Sequence, residues 1–137
     1  MNILVASDKF KGSLTARQAC ECIRRGLTKS IPRACVTLAP MADGGDGTLA
    51  VLVPATGGKY ISRRVTGPLG NSVMARYGAL GGSRTSLVEM ALASGLMLVP
   101  AGRGNPLKTT TYGTGELIRD ALDRGYRKII LAIGGSA

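Results

Sequence analysis

Asn2-Ile3-Leu4-Val5-Ala6, followed by the loop Ser7-Asp8-Lys9-Phe10-Lys11-Gly12-Ser13, is the stretch whose reading decides the fold. The apolar run with Ile and Val reads as a strand buried on both faces. Thr15 with Gln18 three residues on makes a capping box. Behind it Ala19, Cys22, Ile23, Gly26 and Leu27 recur at helical spacing until Pro32 blocks continuation. Val36 to Leu38 begins a second strand. Strand, helix and strand at this length form a βαβ unit, which winds right-handed into a parallel sheet.

Downstream the pattern changes. Thr48 to Ala55 has helical apolar spacing, with Pro54 in its last turn and Gly57-Gly58 beyond. Lys59 to Thr66, Ser72 to Ala79 and Thr85 to Met90 read as strands separated by Gly67-Pro68-Leu69-Gly70 and Gly81-Gly82, a meander rather than further βαβ units. Ala91 to Leu96 reads as a brief helix, and a basic loop spans Pro100 to Lys108. Thr114 to Arg124 is a clear helix with Asp120 and Arg124 spaced i,i+4. Lys128 to Ile133 reads as another buried parallel strand. The boundaries drawn from this are residues 1–45 and 109–137 for the parallel α/β elements, and 46–108 for a helix plus an antiparallel excursion. The strand leading into Gly134-Gly135-Ser136-Ala137 ordinarily feeds a helix, so the chain is expected to be the N-terminal part of a longer protein.

The size, 137 residues, suits about one domain. No unbroken apolar stretch approaches a membrane span and no leader pattern opens the chain, so a cytoplasmic location is expected. Cys20, Cys22 and Cys35 have no histidine to complete a zinc set and are expected to be buried or semi-buried free thiols. The formal charge of +10 fits nucleic acid or an anionic substrate. Lys and Arg are scattered in singles and pairs with few aromatics between them, so no nucleic-acid partner is expected.

The chemistry-bearing stretch is Ala42-Asp43-Gly44-Gly45-Asp46-Gly47-Thr48, which sets two carboxylates, three glycines and a hydroxyl between a strand and a helix. Glycine lets backbone and ligand approach closely, and neighbouring carboxylates repel unless a cation, a donor or a substrate proton lies between them. Asp8, with Lys11 and Ser13 just beyond it, sits where open α/β sheets place ligands. Two more glycine-rich junctions, Gly113-Thr114-Gly115-Glu116 before a helix and Gly134-Gly135-Ser136 after a strand, suit a phosphate or carboxylate. Each has a plainer reading as a turn or cap. Glu89 and Ser94 read as cap or ligand contact alike, and Arg103 with Lys108 as an anion clamp or a solvated pair. There is no Walker A sequence and no Gly-x-Gly-x-x-Gly. Without histidine a Ser-His-Asp triad is impossible.

Seven stretches in order resemble the N-terminal part of the bacterial glycerate kinase family. They are Asp8 to Leu14, Ala42 to Thr48, Thr66 to Gly70, Glu89 to Leu96, Asn105 to Leu107, Thr110 to Ile118 and Ile133 to Ala137. The resemblance implies a flavodoxin-like, three-layer α/β domain with an inserted mixed, β-rich segment. It implies ATP-dependent phosphorylation of D-glycerate with Mg²⁺, and leaves a homo-oligomer open. Asp46 stands where the family usually carries Glu, and Pro54 where it usually carries Ala. The family also continues past Gly-Gly-Ser-Ala into a further Asp-bearing loop. On this resemblance Lys11 and the Gly113 to Glu116 and Gly134 to Ser136 turns face phosphate or carboxylate. Asp8, Asp43 and Asp46 orient the glycerate hydroxyl or hold Mg²⁺, with Gly44, Gly45, Ser94 and Arg103 as further contacts. Two other readings stay open: a non-catalytic basic module binding anions or nucleic acid, and an inactive fragment.

Overall fold

The computed structural model describes residues 1–137, which divide into two compact units, Met1–Asp43 and Gly44–Ala137. In the first, β1 (Asn2–Val5) pairs in parallel with β2 (Cys35–Leu38), with Val5 opposite Leu38. Helix α1 (Ala16–Ser30) joins them, so the expected βαβ order is present. Its capping box is complete: Gln18 N donates to Thr15 Oγ1, and the Gln18 side chain accepts from Thr15 N. Ala16, Ala19 and Cys20 are buried with Val5, which makes this the small core of the unit. Burial of β1 on both faces is not observed, because Leu4 is 65% exposed. Cys22 and Cys35 are exposed as well, and only Cys20 is buried.

The second unit is a four-stranded mixed sheet in the order β3-β4-β5-β6. Strands β3 (Lys59–Thr66), β4 (Ser72–Ala79) and β5 (Thr85–Glu89) form the antiparallel meander. Strand β6 (Lys128–Ala132) then adds to β5 in parallel, so it belongs to the same sheet as the meander. Successive β5 residues point to opposite faces. Leu87 joins Leu49 and Val53 of α2 (Thr48–Ala55). Val88 joins Leu117 and Ala121 of α4 (Tyr112–Asp123) and Ala93 of α3 (Ala91–Ser94). The sheet therefore lies between α2 on one face and α3 and α4 on the other. A short 3-10 turn, Leu96–Leu98, follows α3.

Two local features of this unit have clear causes. Gly78 can only be glycine, because a side-chain carbon there would collide with Val53. Strand β6 is parallel as expected but is not buried, since it borders the sheet with Ile130 46% and Leu131 43% exposed.

Candidate functional site

In the first unit, the end of β1 carries Asp8 and the segment after β2 carries Asp43. Lys9 links them. Its ammonium lies 2.9 Å from Asp43 Oδ1 and 3.8 Å from Asp8 Oδ2, and its own N–H donates to Asp8 Oδ1 at 2.6 Å. Parallel pairing explains the meeting, because it sets the C-terminal ends of β1 and β2 side by side. One ammonium between two carboxylates leaves a local negative charge in a strongly basic chain. Lys9 is the residue that the sequence reading passed over in favour of Lys11. Lys11 and Ser13 instead lie exposed in a loop closed by Leu14 N donating to Phe10 O and Phe10 N to Leu14 O, and neither makes an ion pair.

In the second unit, the glycine turn, α2, β5 and the end of β6 meet. Gly134 N donates to Gly44 O at 2.9 Å, and a side-chain carbon on Gly134 would lie 2.6 Å from the Cα of Gly45. Backbone contact this close admits only glycine. Gly135, at φ +76°, faces Asp46, whose carboxylate oxygens lie 3.2 and 3.3 Å from where its side-chain carbon would stand. The Asp46 carboxylate is exposed and has no ion pair. The segment from Gly134 is pinned to the α3 end, with Leu96 N donating to Gly135 O and Ala137 N to Ser94 O. The N–H groups of Gly135 and Ser136 donate to no protein acceptor, so they remain open to a ligand.

Glu89, at the end of β5, is 2% exposed. Its Oε1 accepts from Gly47 N at 3.0 Å and its Oε2 from Leu49 N at 2.7 Å. The first turn of α2 is thus capped by the protein's own carboxylate, so its backbone is not free to bind an external anion.

The expected turn at Gly113 to Glu116 is corrected by the structure. These residues lie within α4, which starts at Tyr112. Gly113 is buried against the Thr66 carbonyl, Glu116 accepts from Thr66 N at 2.7 Å, and Thr114 Oγ1 bonds to the buried Ser94 Oγ at 2.8 Å. Gly113, Thr114, Glu116 and Ser94 therefore hold α4 to β3 and α3. Gly115 alone is exposed with open space before it. Arg103 is exposed and makes no ion pair. A surface hollow of ≈ 230 Å³ is lined by Arg64, Thr66, Asn71, Ser72 and Glu116 among others and shares no residue with the Asp46 and Gly135 cluster.

A separate, partly buried network was legible only in part. Asp120 accepts from Arg124 Nε at 2.9 Å, the i,i+4 pair expected, and also from Arg63 Nε at 2.6 Å and Tyr77 Oη at 2.7 Å. Burial first, and then the bond to Asp120, push the Tyr77 hydroxyl well above its ordinary pKa.

A parallel strand-helix-strand unit and a helix-flanked mixed sheet define an α/β protein. The pattern of the Glycerate kinase family matches residues 3–137, and the chain belongs to that family. It is 53% identical over its full length to glycerate kinase of Bacillus subtilis and 47% to glycerate 2-kinase of Escherichia coli, and it spans 36% of each. A crystal structure from Salmonella typhimurium LT2, given the name glycerate kinase 2, superposes with a TM-score of 0.82 at 48% identity, covering 99% of this chain and 37% of that one. The chain therefore spans about a third of the length of these relatives. No helix is long and apolar enough to cross a membrane.

Proposed function

We propose that this chain supplies part of an ATP-dependent glycerate kinase that transfers a phosphoryl group to a hydroxyl of D-glycerate. The observation that carries this reading is the pair of acidic elements, Lys9 with Asp8 and Asp43, and Asp46 against Gly135, in a chain of the glycerate kinase family. Phosphoryl transfer asks little covalent chemistry of a protein, so positioning and charge neutralisation carry most of it.

The residues divide by their partners. Asp43 is already tied to Lys9, which orients its carboxylate, and we assign it to accept the proton of the attacking hydroxyl. Asp8 holds Lys9 from the other side. Asp46 has no cationic partner and is the better ligand for a divalent ion. An oxygen-only donor set without histidine fits Mg²⁺, which keeps water and phosphate oxygens around one or two carboxylates. Bound there, Mg²⁺ would neutralise charge on the phosphates. The open N–H groups of Gly135 and Ser136, and the exposed Lys11 ammonium, suit phosphate or carboxylate oxygens. A cytoplasmic location accords with these substrates.

Release of ADP from Mg·ATP by the full-length protein, measured with D-glycerate, L-glycerate and glycerol, tests the reading. Turnover that requires D-glycerate supports it, and ATP hydrolysis indifferent to the acceptor refutes it. Retention on nucleic acid that falls steeply with salt would support a basic binding module instead, and retention indifferent to salt would not.

A further inference from the structure

Glu89 is a buried charge that the reaction as described does not use. Its carboxylate reaches across 42 residues of sequence to accept from Gly47 N, and also accepts from Leu49 N. Such a group can simply cap a helix. Here, however, the first residue bonded, Gly47, directly follows Asp46 at the end of the Gly44–Gly47 turn, and the other side of that turn is fixed too, through Gly134 N and Gly44 O. Asp46 is therefore suspended between two anchors, the β6 exit before it and the Glu89 carboxylate after it. Gly47 itself has φ +94°, a left-handed conformation that glycine adopts without steric cost and that lets the chain turn from Asp46 into α2.

We infer that Glu89 is a positioning residue, fixing the Gly44–Gly47 turn so that the Asp46 carboxylate faces Gly135 in the geometry phosphoryl transfer requires. This rests on the kinase reading and on the role given there to Asp46. Two physical points support a role beyond packing. The carboxylate is paired with no cation and is satisfied only by the turn and the first turn of α2. By occupying that helix end it also removes an anion-attracting pole and adds negative charge behind Asp46, so the turn favours a cation over a phosphate. Neither point depends on side-chain packing.

Substitution separates this from a plain structural role. Glu89→Gln keeps the shape but replaces one acceptor oxygen with an amide that cannot accept from N–H, so one of the carboxylate's two hydrogen bonds, to Gly47 N or Leu49 N, is lost. Glu89→Asp keeps both acceptors on a shorter stem and serves as the second variant should the first fold poorly. The readout is steady-state turnover of D-glycerate in the full-length kinase, with Asp46→Asn and the double variants measured alongside. A residue acting through Asp46 gives non-additive losses, whereas an independent structural residue gives multiplicative ones. The expectation is that Glu89→Gln lowers kcat about tenfold or more in the native background with KM for D-glycerate within about twofold, and lowers it no more than about twofold in the Asp46→Asn background. Glu89→Asp follows the same pattern with a smaller loss. Equal fold losses in both backgrounds overturn this inference alone. Native turnover in Asp46→Asn overturns it together with the role given to Asp46.

Discussion

Gly134 and Gly44 are joined by a backbone hydrogen bond of 2.9 Å, which holds the exit of β6 to the start of the acidic turn with no side chain between them. A methyl group on Gly134 would meet the Cα of Gly45 at 2.6 Å, and backbone cannot give way as a flexible side chain can. Gly134→Ala should therefore cost about 1–3 kcal/mol in urea denaturation, the range for overpacking. It should also move Asp46 and lower turnover. A variant of native stability would show that the close approach is not required.

Two glycines in one helix make opposite predictions. Alanine in place of glycine in an exposed helix interior ordinarily stabilises by about 0.5–1 kcal/mol. Gly115 faces open space, so Gly115→Ala should raise the unfolding midpoint. Gly113 packs on the Thr66 carbonyl, so in Gly113→Ala the collision outweighs the propensity gain and the midpoint should fall. Thermal unfolding of both variants decides the matter, and a rise in each would contradict the packing described.

Lys9 separates stability from activity. Its ion pair engages an Asp43 side chain that is 60% exposed, so Lys9→Met should change stability by no more than about 1 kcal/mol. Turnover should fall far more than that suggests, because Asp43 loses the group that orients it. Unchanged kcat with changed stability would assign Lys9 to structure alone.

Tyr77 gives a pH signature. Its hydroxyl is held above the ordinary tyrosine value of 10.0 in the folded chain, so the folded state keeps the proton that the unfolded state releases. The stabilisation is complete below pH 10 and is lost as pH rises beyond it. Tyr77→Phe should cost about 1 kcal/mol at neutral pH, one hydrogen bond to Asp120, and should flatten the alkaline decline measured by urea denaturation. An equally steep decline in the variant would place its origin elsewhere.

What the sequence made legible follows from local rules. The Thr15 and Gln18 capping box and the three meander strands rest on patterns within a few residues of each other, and the parallel pairing of β1 with β2 follows from the strand-helix-strand order. The bridging role of Lys9 was hidden because it depends on which strand ends lie side by side. Glu89 was legible as a polar residue ending an apolar strand, but not as the cap of a helix 40 residues before it. The start of α4 was missed because Gly113 and Gly115 imitate a loop, whereas burial of Gly113 on Thr66 and the bond from Thr66 N to Glu116 stabilise helix there. Burial of β6 was overestimated because an apolar sequence reports what a strand can cover, not whether it is covered.

The most direct test is the turnover of D-glycerate by the full-length kinase carrying Asp43→Asn, with Mg·ATP saturating and ADP release as the readout. The amide keeps the size of the side chain but cannot take up the hydroxyl proton, so kcat should fall by about 10²-fold or more. Turnover at the native rate would contradict the assignment of this acidic turn to phosphoryl transfer.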